Sequence, residues 1–148
     1  MKLKFEVQPK VGIGPVKLGM DRISAIASMG LEPDSFKKIP MSQHPTDSFY
    51  EAGFQIFYEG EAPKVESIEL SRCCGFEATL FGENMLELQV SEALLKIESA
   101  TGHKPATEDE GYTYEVPSLG LWLWRQSNEP NDEESLYFST IGVGKVNT

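Results

Sequence analysis

The sequence contains little cysteine, little histidine and little positive charge, and each shortage excludes a class of protein. Its 148 residues include two cysteines, two histidines and 13 basic against 23 acidic residues, for a net charge of −10. Cys73 and Cys74 are adjacent, so a bridge between them would be strained, and two cysteines do not make a disulfide framework. Proteins that bind nucleic acid through its phosphates need the opposite charge. We therefore expect a reduced chain and no nucleic-acid partner.

Long apolar runs are also missing. The longest are only a few residues, and the basic start of the chain, residues 1–4, is not followed by an apolar signal-peptide segment. We expect a cytoplasmic location and no membrane contact. A chain of this length favours one domain, residues 1–148, large enough to bury a core without staples.

Motifs for metal binding and catalysis are absent as well. His44 and His103 lie in polar segments without neighbours at ligand spacing, so we expect no metal and no cofactor. Gly12 and Gly14 are followed by Pro15 and do not form a phosphate loop. We predict no catalytic residue and no enzyme, although carboxylates that meet only in the folded chain leave an enzyme as a rival hypothesis.

Periodicity and turn residues predict the elements. Alternating apolar and polar residues predict a strand over 3–7, and short apolar or aromatic runs between turn residues predict strands over 54–58, 65–70, 112–116, 121–125 and 136–143, with a strand or hairpin within 77–86. Asp21 is a helix N-cap before a helix to residue 29, and Ser91 is a cap before a helix to residue 101. Gly30 and Gly102 end these helices, and 32–47 is predicted as a loop.

The same order of elements occurs twice. Helix, polar loop and hairpin follow one another in residues about 11–72 and again in about 77–143, which indicates an internal duplication. Neither unit could bury its apolar face alone. The predicted fold is an α+β domain in which duplicated helix-plus-β-hairpin units form one antiparallel sheet with two helices on one face.

The negative charge is unevenly distributed. Residues 1–72 have a net charge of −1, whereas residues 73–148 have a net charge of −9. Two acidic loops contribute most of the difference: Glu108, Asp109 and Glu110 in the first, and Glu129, Asp132, Glu133 and Glu134 in the second. They are either solvated loops or a surface that attracts a basic partner.

The tryptophans occur in one strand. Residues 121–124 read Leu-Trp-Leu-Trp and are apolar on both faces. The strand is either central and covered on both sides, or one face is left open for a partner. In the second case Trp122, Trp124 or Arg125 would be the anchor.

The segment Gly12-Ile13-Gly14-Pro15-Val16-Lys17-Leu18-Gly19-Met20 resembles a family of small bacterial proteins that begin with such a glycine-proline segment leading into a helix. Residues 46–58, 65–70 and 112–125 fit the same pattern. Some of these proteins resemble immunity proteins of contact-dependent or other polymorphic toxin systems. The lead into the first helix is also similar to the SmpA/OmlA lipoprotein assembly factors, but no lipobox cysteine lies near Met1. Neither resemblance implies a catalytic residue.

The function predicted from charge and resemblance is that of an immunity protein, which binds and neutralises a basic, nuclease-type toxin domain. The alternatives are a small-molecule or peptide-binding module, an enzyme with carboxylates assembled in space, and a structural or oligomerising domain. The sequence leaves the oligomeric state open.

Overall fold

The computed structural model describes residues 3–37, 41, 43–72 and 75–146, so Cys73 and Cys74 lie outside the described residues. Twelve strands and two α-helices are formed within them. The strands are β1 (Lys4–Gln8), β2 (Gly12–Ile13), β3 (Val16–Lys17), β4 (Asp34–Phe36), β5 (Thr46–Phe49), β6 (Phe54–Glu59), β7 (Lys64–Ser71), β8 (Glu77–Leu80), β9 (Glu83–Asn84), β10 (Thr113–Val116), β11 (Leu121–Trp124) and β12 (Thr140–Gly144). The helices are α1 (Arg22–Met29) and α2 (Val90–Thr101).

The strands form two sheets. The larger sheet has seven strands in the order β10-β11-β12-β7-β6-β5-β4, and all its neighbours are antiparallel. The smaller sheet has the order β3-β2-β1-β8-β9, with β1 and β8 parallel. The two sheets approach each other where β1 and β2 lie near β12 and β7.

The core lies between the sheets. Alternation along β6 and β7 buries Phe54, Ile56, Ile68 and Leu70 on the inner face of the larger sheet. Phe5 of β1 reaches this face and meets the Phe54 ring edge-on, with ring centroids 5.0 Å apart. On the outer face of β6, β7, β10 and β11 the alternate side chains remain partly or fully accessible. These strands, together with β12, position the candidate site.

The predicted fold class is wrong. The described residues are mostly β-structure, and a second sheet rather than a layer of two helices packs near the central strands of the large sheet. The two-residue strands β2 and β3 are too short to show alternation, whereas the hairpin predicted within 77–86 is present as β8 and β9. Segment 32–47, predicted as a loop, contains β4 and the start of β5. Residues 34–36 become a strand by pairing with β5, and β2 and β3 do so by pairing with each other and, for β2, with β1. Local propensity does not encode such pairing.

The ends of the two helices agree with the prediction better than their packing does. Asp21 caps α1 by accepting a hydrogen bond from the Ser24 N–H at 2.8 Å, and Gly30 ends it in the left-handed conformation. The second helix begins at Val90 after Gln89, so the predicted cap at Ser91 is wrong. Ile23 is 83 % exposed, and the fully buried side chain of α1 is Ala25.

Apart from β1 and β4, both halves of the chain have the same order of strands and α-helices. Hairpin β2-β3, helix α1 and strands β5-β6-β7 in the first half correspond to hairpin β8-β9, helix α2 and strands β10-β11-β12 in the second. The last strands of the halves, β7 and β12, pair at the centre of the sheet. A duplication would produce this arrangement, and the duplication itself stays a prediction.

Candidate functional site

The two tryptophans lie on the outer face of the seven-stranded sheet. Leu121 and Leu123 of β11 are buried in the core, so alternation turns Trp122 and Trp124 to the other side. Trp122 is half-buried and Trp124 is 38 % exposed. Large aromatic side chains such as tryptophan are usually buried. The exposure of Trp124 therefore favours the hypothesis that this face of β11 is open over the hypothesis that the strand is covered on both sides.

Two glycines determine where the Trp122 ring lies. Gly142 is directly opposite Trp122 in the pairing of β11 with β12. A Cβ atom added to Gly142 would lie 2.3 Å from Cε2 of the ring, and one added to Gly144 would lie 3.1 Å from Cζ3. The ring therefore lies over the backbone of β12, in space that only glycine leaves free.

A cleft of about 350 Å³ opens beside the tryptophans. It is lined by Glu69, Thr113, Trp122, Trp124 and Thr140. The strand register brings these residues together, because Gly142 pairs with both Trp122 and Glu69 while Trp124 pairs with both Thr113 and Thr140. One carboxylate, two hydroxyls and two indoles thus surround the same small volume.

A second cleft, of about 340 Å³, continues along the same face and shares Glu69 with the first. Its other lining residues include Gln43, His44, Phe57 and Glu66. Burial raises the pKa of Glu66, the neighbouring Glu59 raises it further, and the Lys145 charge acts in the opposite direction. Each cleft thus has at least one carboxylate in its wall: Glu69 in both, and Glu66 in the second.

Arg125 holds the two acidic loops together. Its Nε donates to the Gly111 carbonyl oxygen at 2.6 Å, and its Nη1 donates to the Ser135 carbonyl oxygen at 2.8 Å. The Asn128 side-chain amide also donates to the backbone oxygen of Glu110 at 2.8 Å. Arg125, predicted as a partner-binding residue, thus uses its guanidinium within the chain and places both loops at the end of β11 next to Trp124.

Two of the predicted acidic residues shape their own loops. The Asp109 carboxylate accepts hydrogen bonds from the Thr113 N–H at 2.7 Å and the Thr107 hydroxyl at 3.0 Å, and the Thr113 bond lowers its pKa most. Asp132 accepts from the Glu134 N–H at 3.0 Å and caps a short 3-10 turn. The remaining predicted acids are exposed at this corner: Glu108, Glu110, Glu129, Glu133 and Glu134.

A buried ionic cluster on the inner side of the sheet was not predicted. Asp47 accepts two hydrogen bonds from Arg22, both at 2.9 Å, one from the Ser35 hydroxyl at 2.6 Å and one from the Tyr58 hydroxyl at 2.7 Å. Burial raises the pKa of Asp47, but these donors and the Arg22 charge outweigh it, so the pKa lies below its usual value. Because both carboxylate oxygens are satisfied, we assign the cluster to holding α1 against the β4–β5 edge of the sheet.

Neither a cluster of metal ligands nor a membrane-spanning helix is found in the part of the chain that the structure describes. No group of three histidine, cysteine or acidic side chains there is arranged to hold a metal ion. His44 forms a hydrogen bond with the Gly60 carbonyl oxygen, and His103 is exposed. None of the helices within the described ranges is long and apolar enough to cross a membrane.

Three residues of the tryptophan cleft were missed by sequence reasoning. Glu69, Thr113 and Thr140 lie on three different strands, and only the sheet register makes them neighbours. One signal was present in the sequence: Trp-x-Trp at 122–124 and Gly-x-Gly at 142–144 have the same two-residue spacing.

Comparison of the chain with protein-family models, with curated proteins and with solved structures gives no match.

Proposed function

We propose that this chain is a binding protein of the immunity type, which neutralises a basic toxin domain in the cytoplasm by docking it on the outer sheet face. The observation that carries the proposal is Trp124, an exposed indole beside a cleft with a carboxylate in its wall. Tryptophan is strongly enriched among residues that dominate binding energy at interfaces. The second support is the resemblance to a family of small bacterial proteins, some of which resemble immunity proteins.

The electrostatic support comes from the position of the charge. The acidic loops adjoin Trp124 because Arg125 ties both of them to the end of β11. Toxins that cut nucleic acid need basic clefts for the phosphates, and an acidic surface beside an aromatic anchor complements such a cleft. Long-range attraction would raise the rate of association, while the indole would provide affinity after contact.

The experiment that tests this proposal places a photo-crosslinking amino acid at position 124 in the source cells. The matched control places it at Leu95 on α2, another exposed apolar side chain, with 64 % exposure. We expect a crosslinked protein of basic isoelectric point from position 124 and none from position 95. Expression of the captured protein alone should stop growth, and its expression together with this chain should restore growth.

The proposal is wrong if both positions capture the same proteins equally. It is also wrong if the protein captured at position 124 is not toxic, or if the Trp124→Ala chain restores growth as well as the unaltered chain does.

One observation favours a second candidate function, a small-molecule or peptide-binding module. The two clefts share Glu69 and together form a continuous polar and aromatic surface. A short extended peptide could lie along it. A ligand that copurifies with the chain and is displaced by substitution of Phe57 would favour this alternative over a toxin domain.

A further inference from the structure

We propose that the cleft between Trp122, Trp124 and Glu69 takes an arginine side chain of the docked partner. This inference rests on the proposed function, which it deepens by naming the chemical group that is bound. It assigns the cleft to a guanidinium group, whereas the proposed function requires only that the outer sheet face binds a basic protein.

The lining chemistry selects a cation. Indole rings attract cations over their faces, and Glu69 provides the opposite charge within the same cleft. The hydroxyl oxygens of Thr113 and Thr140 are acceptors for N–H groups. The residues that line this cleft include no basic side chain.

The flat surface of Trp122 favours guanidinium over ammonium. The Gly142 and Gly144 positions let the ring lie over β12, and the register places Glu115 on one side of Trp122 and, across Gly142, Glu69 on the other. Guanidinium is planar and weakly hydrated, stacks on aromatic faces and forms forked bonds with carboxylates. Ammonium is compact and strongly hydrated, so it gains less from such a surface.

The size of the cleft supports a single side chain as occupant. About 350 Å³ is at the lower end of the range for pockets that enclose small ligands. The cleft is also open to solvent next to Trp124, so a side chain that projects from a protein surface could enter it without rearrangement of the sheet.

The test is a titration of the purified chain, labelled with nitrogen-15, with Nα-acetyl-arginine amide. The matched control probe is Nα-acetyl-citrulline amide, which has almost the same shape but no charge. The third probe is Nα-acetyl-lysine amide, which carries an ammonium group instead of a guanidinium group. We expect the arginine probe to shift the indole N–H signals of both tryptophans saturably at millimolar concentration. The citrulline and lysine probes should bind at least fivefold more weakly.

Three variants, one of them a control, show whether binding of the probe depends on the residues of this cleft. Glu69→Gln preserves shape and should weaken arginine-probe binding at least threefold, whereas Glu98→Gln, an exposed acid on α2, should not change it. Trp124→Ala alters an exposed side chain, so the variant should fold, and it should abolish saturable binding.

The arginine assignment is overturned if the three probes bind equally, or if neither indole signal moves. That result would leave the proposed function standing as long as the captured partner still requires Trp124. Conversely, selective arginine binding together with a partner that ignores Trp124 would refute the proposed function and leave the cation site in place.

Discussion

At the scale of single residues, Asp47 stands out because it is a charged side chain in the interior of the protein. It is fully buried and accepts bonds from side chains on α1, β4 and β6. A buried charge is tolerated only when it is paired and hydrogen-bonded, and removal of the pairing leaves an uncompensated group. The Arg22 side chain is 31 % exposed, so part of its charge would be solvated after loss of its partner.

We predict that Asp47→Asn lowers the free energy of unfolding by about 2–3 kcal/mol at pH 7, because it removes the charge that four hydrogen bonds stabilise. The pKa of Asp47 is lower in the folded than in the unfolded chain. Its contribution is therefore complete above the unfolded pKa, about 4, and is lost as the pH falls through the folded pKa. Urea unfolding at pH 7 and at about pH 3 should show the two proteins becoming more similar in acid.

The matched control for Asp47→Asn is Asp34→Asn, which removes an exposed carboxylate on the neighbouring strand β4. We expect Asp34→Asn to change the free energy of unfolding by less than about 0.5 kcal/mol. A similar cost for both variants, or a difference between Asp47→Asn and the unaltered chain that grows in acid, would contradict this assignment.

At the scale of elements, the pairing of β11 with β12 creates the candidate site. Large residues at 122 and 124 face small residues at 142 and 140 across the same ladder, so the Trp122 ring lies on backbone rather than against another side chain. An aromatic ring that covers a cross-strand glycine also shields the exposed ladder.

We predict that Gly142→Ala displaces the Trp122 ring, because the new methyl group would lie 2.3 Å from it. The free energy of unfolding should fall by about 1–3 kcal/mol, the usual cost of overpacking. The tryptophan fluorescence should shift to longer wavelength as the indole becomes more exposed to water. Gly144→Ala is the control, since the added atom lies 3.1 Å from the ring and should cause a smaller shift. Equal spectra for the two variants would refute this position of the ring.

Sequence reasoning succeeded where one element carries its own signal. The strand at 65–70 alternates apolar and polar residues, the strands at 54–58 and 121–124 are short apolar and aromatic runs, and the glycines after both helices occupy the left-handed conformation. It failed where neighbouring strands decide the structure, as in β4, whose three residues are all exposed, and in the two-residue strands β2 and β3. The cleft could not be predicted for the same reason, because Glu69 and Trp122 become neighbours only through their shared pairing with β12.

At the scale of the whole molecule, charge and aromatic surface coincide. The second half of the chain has a net charge of −9, and its two acidic loops lie at the same corner as the exposed indole of Trp124. Charge at the rim of an interface mainly changes the rate of association and its salt dependence. Buried aromatic anchors mainly change the rate of dissociation.

We predict that Glu133→Gln combined with Glu134→Gln slows association with the captured partner and flattens the dependence of the rate on salt. Both side chains are exposed, and the substitutions leave the caps at Asp109 and Asp132 intact. The control removes two exposed acids elsewhere, Glu32→Gln with Glu98→Gln, for the same change in net charge. If both pairs change the association rate equally, net charge alone matters and the acidic corner has no special role.

The most direct test of the central claim is the dissociation constant of the captured partner for Trp124→Ala and Leu95→Ala. If the outer sheet face is the docking surface, Trp124→Ala should weaken binding at least thirtyfold, equivalent to about 2 kcal/mol, mainly through faster dissociation. Leu95→Ala should leave the constant within a factor of two. Equal dissociation constants for the two variants would contradict the account.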